Sequence, residues 1–370
     1  MYREQTGMGK KIIFTIFNDT SYDQRMIRIC NTLAHAGYDV LLVGRRPRNA
    51  IPLVQQSFRQ KRLRTPFYSG FLLYAVFNIR LFLYLLFQRA DAICAIDLDT
   101  ILPCYLTSVL KKIPRIYDAH ELFCEMKEIV TRPAIYKIWK RIEKFSVPAF
   151  VHGYTVNKII ADEFNRMYSS RYEVIRSIAL FEPFIVPPAK TPFIIYQGAV
   201  NEGRSFETLI PAMQWVMVPL HIYGDGNFMD ATRALVEEYG LQQKVIFKGK
   251  LEPRQLKQVT REAVIGITLF DDTGASNYFS LANRFFDYMQ AGIPQLCVAF
   301  PAYQEINNLY EIAVLIADRS PGNIARQLNE MLTNRDLYNR LAVNCGYASQ
   351  SLNWQNEEKK LVAFYKKILS

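Results

Sequence analysis

Between Asn277 and Pro294 the chain reads NYFSLANRFFDYMQAGIP, a stretch that concentrates residues able to bind phosphate and hydroxyl groups. Phe279, Ser280 and Leu281 lead into a predicted helix whose first N–H groups lack intrahelical partners and can hold a diphosphate. Asn283 and Arg284 fall in its first turn. Asp287 follows Asn283 at i+4 on the same face, where its carboxylate can accept hydrogen bonds from ribose hydroxyls. The competing reading is an ordinary amphipathic helix, with Leu281, Phe285, Tyr288 and Met289 in the core and the polar residues solvated.

Other candidates are scattered along the chain. Arg204, beside Gly203, offers a guanidinium to a phosphate. His120 ends a predicted buried strand in YDAHE, at the carboxyl end where α/β proteins collect ligands; a histidine satisfying a loop carbonyl is the plainer alternative. The run HELFC at 120–124 lacks the second histidine of an HExxH zinc site, so metal ligation is not expected there. Glu121 fits either loop support or acceptor binding. Asp97 and Asp99 form a DxD after a predicted strand, a pattern that can hold a metal and a diphosphate. The helical run Thr100 to Leu110 follows at once, and loop capping or acceptor contact explains the pair more simply. Asp23 and Arg25, after the first strand, suit an acceptor-orienting pair or a helix cap, and Asp19 shares that ambiguity.

The elements that would position these groups alternate. Strand Lys11 to Phe17, helix Arg25 to Ala36, the Gly37 stop and strand Val40 to Val43 read as a βαβ unit, followed by strands Ala92 to Ile96 and Arg115 to Tyr117. After the proline-rich connector Glu182 to Pro192 the pattern restarts with strand Phe193 to Gln197, helix Arg204 to Met213 and strand Leu220 to Tyr223. It continues through strands Val245 to Phe247, Ile265 to Leu269 and Gln295 to Val298. Such alternation predicts parallel sheets with helices on their faces, in two Rossmann-like halves. The segment Trp354 to Leu369 patterns as a helix with Leu361, Phe364, Tyr365 and Ile368 on one stripe.

With 370 residues, half of them hydrophobic, the chain can fill two cores. A net charge of +11 suits anionic partners. No aromatic RNP sequence, Cys/His finger or long basic helix supports specific nucleic-acid recognition. Cys30, Cys94, Cys104, Cys124, Cys297 and Cys345 have no ligand-like spacing and read as buried reduced thiols. MYREQTGMGKK lacks the apolar region of a secretory signal, which predicts a cytoplasmic protein, and Met8 is an alternative start. Phe67 to Phe87 is almost continuously apolar and follows the basic run Arg59, Lys61, Arg62, Arg64. It nearly has the length to span a membrane, but Asn78 and Arg80 lie at its centre. A helix packed in a core or interface and a helix inserted shallowly beside anionic lipid both remain open.

Five ordered blocks resemble the GT-B fold glycosyltransferases, specifically the large retaining group usually called family 4: YDAHE at Tyr117 to Glu121, YQGAVNEGRSFETLI at Tyr196 to Ile210, IYGDG at Ile222 to Gly226, VIFKGKL at Val245 to Leu251, and NYFSLANRFFDYMQAGIP. Each is weak alone, because short glycine turns end many strands; order and spacing carry the resemblance, which spans nearly the whole chain.

The resemblance implies a GT-B α/β fold of two Rossmann-like domains facing a cleft: 1–185 binding the acceptor, 186–350 binding a nucleotide-sugar donor, and 351–370 a helix crossing back to the first. It implies donor contacts from Gly198, Gly203, Arg204, Gly224, Lys250, Phe279, Ser280, Leu281, Asn283, Arg284 and Asp287. His120 and Arg204 become the catalytic candidates, and Asp23, Arg25 and Glu121 the acceptor candidates. It also implies metal-independent retaining transfer, without a cofactor beyond the donor, by front-face displacement in which the departing phosphate takes the acceptor proton. Apart from the resemblance, the basic, aromatic-rich N-terminal half suggests a saccharide or lipid-linked saccharide acceptor of the cell envelope and peripheral contact with an anionic membrane, and no nucleic-acid partner is expected. Two departures stand out. Many relatives carry an Arg where Gly198-Ala199-Val200 stands, leaving Lys250 or Arg284 to supply the second charge. The first of the family's two glutamates falls near Phe279. These losses keep open a non-catalytic nucleotide-sugar-binding protein, and an epimerase or hydrolase of nucleotide sugars is a further alternative.

Overall fold

A computed structural model describes residues 9–21, 23–183 and 192–370. Most of the proline-rich connector and the alternative start at Met8 lie outside the described residues. The chain divides into two compact units, one built from residues up to 177 together with 356–370, the other from 178–355.

The first unit holds a seven-stranded parallel sheet. In chain order its strands are β1 (Lys11–Thr15), β2 (Asp39–Arg45), β3 (Arg59–Leu63), β4 (Ala92–Ile96), β5 (Arg115–Ala119), β6 (His152–Thr155) and β7 (Glu173–Val174), arranged β3-β2-β1-β4-β5-β6-β7. The second unit holds β8 (Ile194–Gln197), β9 (Leu220–Tyr223), β10 (Val245–Gly249), β11 (Ile265–Thr268), β12 (Gln295–Val298) and β13 (Ala313–Ile316), arranged β10-β9-β8-β11-β12-β13. The central strands are apolar on both faces and buried, as expected where helices cover both sides of a parallel sheet. In each sheet the order reverses once, between β1 and β4 and between β8 and β11. Open α/β sheets take ligands outside the carboxyl ends of the strands at such a reversal.

Most predicted elements appear with shifted ends, and the shifts have local causes. The first helix runs Gln24–His35 because Asp23 caps it, accepting from Met26 N at 2.9 Å. The helix expected from Arg204 begins at Phe206, since Ser205 has φ of 56° in the left-handed region. The basic run before the apolar stretch is itself strand β3, pairing with β2 at the sheet edge. Charged side chains are a common protection for such an edge. The apolar stretch forms helix Gly70–Leu86, with Leu73, Phe77, Leu81 and Leu85 buried at i,i+4 steps. Among the described residues no helix is long and apolar enough to cross a membrane.

Helix Trp354–Leu369 is part of the first unit from Asn356 onward. Tyr365 packs on Phe14 of β1 with ring centroids 5.9 Å apart, and its hydroxyl lies 3.3 Å from that of Tyr154 in β6. Glu357, buried, accepts from Arg176 N at 2.9 Å. In the second unit, helix Asn283–Gln290 is seated on the sheet by Tyr288, whose hydroxyl donates to Ile195 O and accepts from Gln197 N at 3.1 Å. The ring lies directly over Gly266 of β11, where an added Cβ would stand 2.4 Å from it.

Candidate active site

The second unit gathers its polar groups at the carboxyl ends of β8 to β11. Two loops there need glycine. Gly198 follows β8 and Gly224 follows β9, and a Cβ on Gly224 would come within 1.8 Å of Gly198 O. Gly198 N donates to Tyr223 O at 2.9 Å, so the two turns lock together. The chain then runs to Gly203 and Arg204, where Gly203 O accepts from Asp271 N at 3.0 Å across the reversal.

This docking places two guanidiniums on one ring. Phe270, just after β11 and buried, has the Arg204 guanidinium carbon 4.5 Å and that of Arg284 4.6 Å from its centroid. Arg204 also donates to Asn277 Oδ1 at 3.3 Å. Arg284, in the first turn of helix Asn283–Gln290, is buried, stacks 4.5 Å from the Tyr196 ring and donates to Gln197 O at 3.2 Å. Burial opposes its charge, while Tyr196 and Tyr288 favour it, and its pKa is raised. Cation–π contacts of this kind are stronger when desolvated and hold each guanidinium close over the ring.

Asp287 sits one turn further on. Its Oδ2 accepts from Gln197 Nε2 at 3.0 Å, and Gln197 Oε1 accepts from Thr260 Oγ1 at 2.6 Å, so the carboxylate is oriented from both strand and helix. Phe279 ends the short helix Ala275–Phe279, Ser280 donates to Asn277 O at 2.8 Å, and Leu281 is buried. Asn283 is exposed at the helix start. Ala282 N, just before it, donates to Tyr303 at 3.0 Å. Lys250 stands apart. It is 72 % exposed and pairs with Asp225 at 3.3 Å, so of the two residues expected to supply a second positive charge beside Arg204, Arg284 is the one brought to it.

In the first unit a second cluster forms at the carboxyl ends of β4 and β5. His120 Nδ1 lies 3.5 Å from Asp97 Oδ2 and its Nε2 lies 3.2 Å from Asp118 Oδ2, while its backbone N–H donates to Asp97 Oδ1 at 2.8 Å. Asp97 has φ of 53°, a left-handed conformation that turns the chain sharply after β4. Burial alone would lower the His120 pKa, but Asp118 and Asp97 outweigh it and raise it to about 9. The ring is therefore a charged donor at neutral pH and not a base. Burial pushes Asp99 well above its ordinary value, with Asp97 and Glu121 adding to the effect. Among the described residues no group of three His, Cys, Asp or Glu is arranged to hold a metal ion.

Two expected acceptor residues have other tasks. Asp23 is the helix cap. Arg25 is 4 % exposed, with its guanidinium 2.8 Å from Asp118 and donating to Ile175 O at 3.0 Å, so it is used up inside the unit instead of facing an acceptor. Asp19 is paired with Arg62 at 2.8 Å. Glu121 is half-buried beside His120.

Sequence reasoning missed Phe270, Gln197, Asn277 and Arg319. The last donates to Phe270 O at 3.2 Å and pairs with Asp272 at 3.2 Å, bracing the loop after β11. Asn277 and Gln197 stood inside the quoted blocks; the signal was there, but a long-range partner is needed to give either a role.

The geometry agrees with the comparisons. Residues 181–345 match the family described as Glycosyl transferases group 1. No curated protein matches the chain in sequence. Among solved structures, sucrose-phosphate synthase from Thermosynechococcus elongatus superposes with a TM-score of 0.78 at 17 % identity, covering 97 % of this chain and 98 % of that one. Anabaena HepE in complex with UDP-glucose gives 0.74 at 12 % identity, covering 96 % and 99 %. WaaG, a glycosyltransferase involved in lipopolysaccharide biosynthesis, gives 0.66 at 15 % identity, covering 95 % and 98 %. Over nearly its whole length the chain has the GT-B fold of these structures, and within the second unit residues 181–345 match the group 1 glycosyl transferase family.

Proposed function

We propose that the chain transfers a sugar, with retention of anomeric configuration, from a nucleotide-diphosphate sugar to an acceptor hydroxyl, in the manner of the family 4 enzymes it resembles. The observation that carries this reading is the pair of guanidiniums, Arg204 and Arg284, held 4.5 and 4.6 Å from the centroid of the Phe270 ring beside the start of helix Asn283–Gln290. As the glycosidic bond of a donor breaks, negative charge accumulates on the departing diphosphate, and fixed cations and N–H donors aimed at it lower the barrier. Arg284 thus takes the place of the arginine that relatives carry where Gly198-Ala199-Val200 stands. Asp287, oriented by Gln197, is the group suited to ribose hydroxyls.

In this mechanism the departing phosphate takes the acceptor proton, so no carboxylate base is required. His120, charged and held by Asp97 and Asp118, contributes a fixed positive charge at the carboxyl ends of β4 and β5. Charge stabilisation comes from arginine, which fits metal-independent transfer without a further cofactor. HepE was solved with UDP-glucose and WaaG acts in lipopolysaccharide biosynthesis, which supports a nucleotide-sugar donor and a saccharide or lipid-linked saccharide acceptor of the cell envelope. Six buried free thiols suit the reducing cytoplasm.

The test is thermal stabilisation of the purified protein by UDP-, GDP-, ADP- and dTDP-sugars. A donor at about 100 times its Kd adds about 2.7 kcal/mol of stability. We expect one nucleotide class to raise Tm, and the shift to be lost in Arg204→Ala and Asp287→Ala. No shift with any donor would sink the reading, a shift without turnover would point to a non-catalytic binder, and donor consumed at the same rate with and without acceptor would point to hydrolysis.

A further inference from the structure

Helix Gly70–Leu86 is as apolar on its outer face as on its buried one. Leu72, Ile79, Leu83 and, just past its end, Phe87 are 54, 60, 49 and 84 % exposed, on the side opposite the buried Leu73, Phe77, Leu81 and Leu85. A helix that is apolar all round normally has apolar surroundings all round. The exposure continues onto the neighbouring elements of the same unit. Helix Gly70–Leu86 packs against helix Ile101–Lys111, with Lys111 Nζ donating to Leu86 O at 2.9 Å, and Leu106, Val109 and Leu110 are exposed there. That helix in turn packs against helix Pro133–Ser146, where Tyr105 and Phe145 have ring centroids 5.3 Å apart and Ile138 and Phe145 are exposed. Contiguous exposed apolar area on this scale marks an interaction surface.

The charge around it identifies the partner. Residues 64–89 and 101–115 contain no Asp or Glu. In 132–146 the one acid, Glu143, is buried and paired with Lys140 at 2.6 Å. The exposed ionic side chains on these segments are all basic, among them Arg64, Arg80, Lys112, Lys137, Arg141 and Lys144. A second copy of the same face would set these cations against one another, which costs binding energy. An apolar surface fringed by cations without an exposed acid matches an anionic bilayer interface. There the apolar side chains enter the boundary between headgroups and acyl chains while Lys and Arg meet lipid phosphates. Spanning is not available to it, since no described helix is long and apolar enough.

We propose that this three-helix face docks the protein on an anionic lipid bilayer. The proposal goes beyond the transfer reading and can fail without it. The experiment is co-sedimentation of the full chain with vesicles of phosphatidylcholine alone and of phosphatidylcholine with about 30 % phosphatidylglycerol. We expect strong binding to the anionic vesicles, weak binding to the neutral ones, and release as ionic strength rises to about 0.5 M. The triple variant Ile79→Ser/Leu83→Ser/Phe87→Ser should lower the partition coefficient by at least about tenfold. Lys137→Glu/Arg141→Glu/Lys144→Glu should abolish the preference for anionic lipid. Because all six positions are exposed, Tm should stay unchanged in both. Absence of vesicle binding, or equal binding by wild type and both variants, overturns the proposal. So does a light-scattering mass of two chains that falls to one in the serine variant, which would assign the face to a second copy.

Discussion

With a carboxylate near each ring nitrogen, His120 keeps its proton well above the ordinary value of 6.5. A group whose folded pKa is raised contributes stability that is fully present below its unfolded pKa and is lost as pH rises through the folded one. The stabilisation tied to His120 should therefore hold below about 6.5 and decline through about 9. An NMR titration should show the His120 midpoint near 9, moving down toward 6.5 in Asp118→Asn; an unshifted wild-type midpoint would refute the geometry. Asp118 is itself held below its ordinary range: burial would raise it, but Arg25 and His120 more than offset that. Arg25→Met leaves this carboxylate buried without its closest cation and should cost about 3–5 kcal/mol, measured by denaturant unfolding. His120 and Arg204 were legible because each lies in a motif at a strand's carboxyl end. The burial of Arg25 was not, since its partner Asp118 lies 93 residues away and nothing local marks the pairing.

The helix that carries Arg284 and Asp287 is seated on the sheet through the ring of Tyr288. Tyr288 sits over Gly266 because no side chain is there, and its hydroxyl reaches the backbone of β8. Gly266→Ala would force the helix away from the sheet, and a loss of about 3 kcal/mol in stability is expected from such overpacking. A stability change below about 0.5 kcal/mol would show that helix and sheet are less tightly coupled than the contact implies. The helix itself was legible from its spacing and its Gly-Pro stop, and so were the apolar central strands. Strand β3 was not, since RQKRL carries no apolar run and becomes a strand only by pairing with β2. Edge strands depend on such non-local pairing more than on intrinsic preference.

At the scale of the chain, the first unit is discontinuous: a long segment up to 177 is completed by 356–370, with the second unit inserted between. The alternation of strands and helices predicted both sheets, and the apolar stripe of the last helix predicted that it packs; its destination came only from the family resemblance. A fragment of 178–355 should unfold cooperatively by itself. A fragment ending at 177 lacks Tyr365 and Leu361, uncovers Phe14 and Tyr154, and should bind the anilinonaphthalene dye that reports loose cores until a peptide of 356–370 is added. Dye binding that the peptide leaves unchanged would show that the helix closes nothing.

That helix also sets an order of events on the ribosome. The second unit has all its residues as soon as 355 has emerged, whereas the first, although begun earlier, is incomplete until 356–370 follows. Domains ordinarily fold as units in the order of synthesis. Here the half of the protein made first is the half finished last. A premature stop near residue 355 would spare the unit it adjoins and cripple the one translated at the outset.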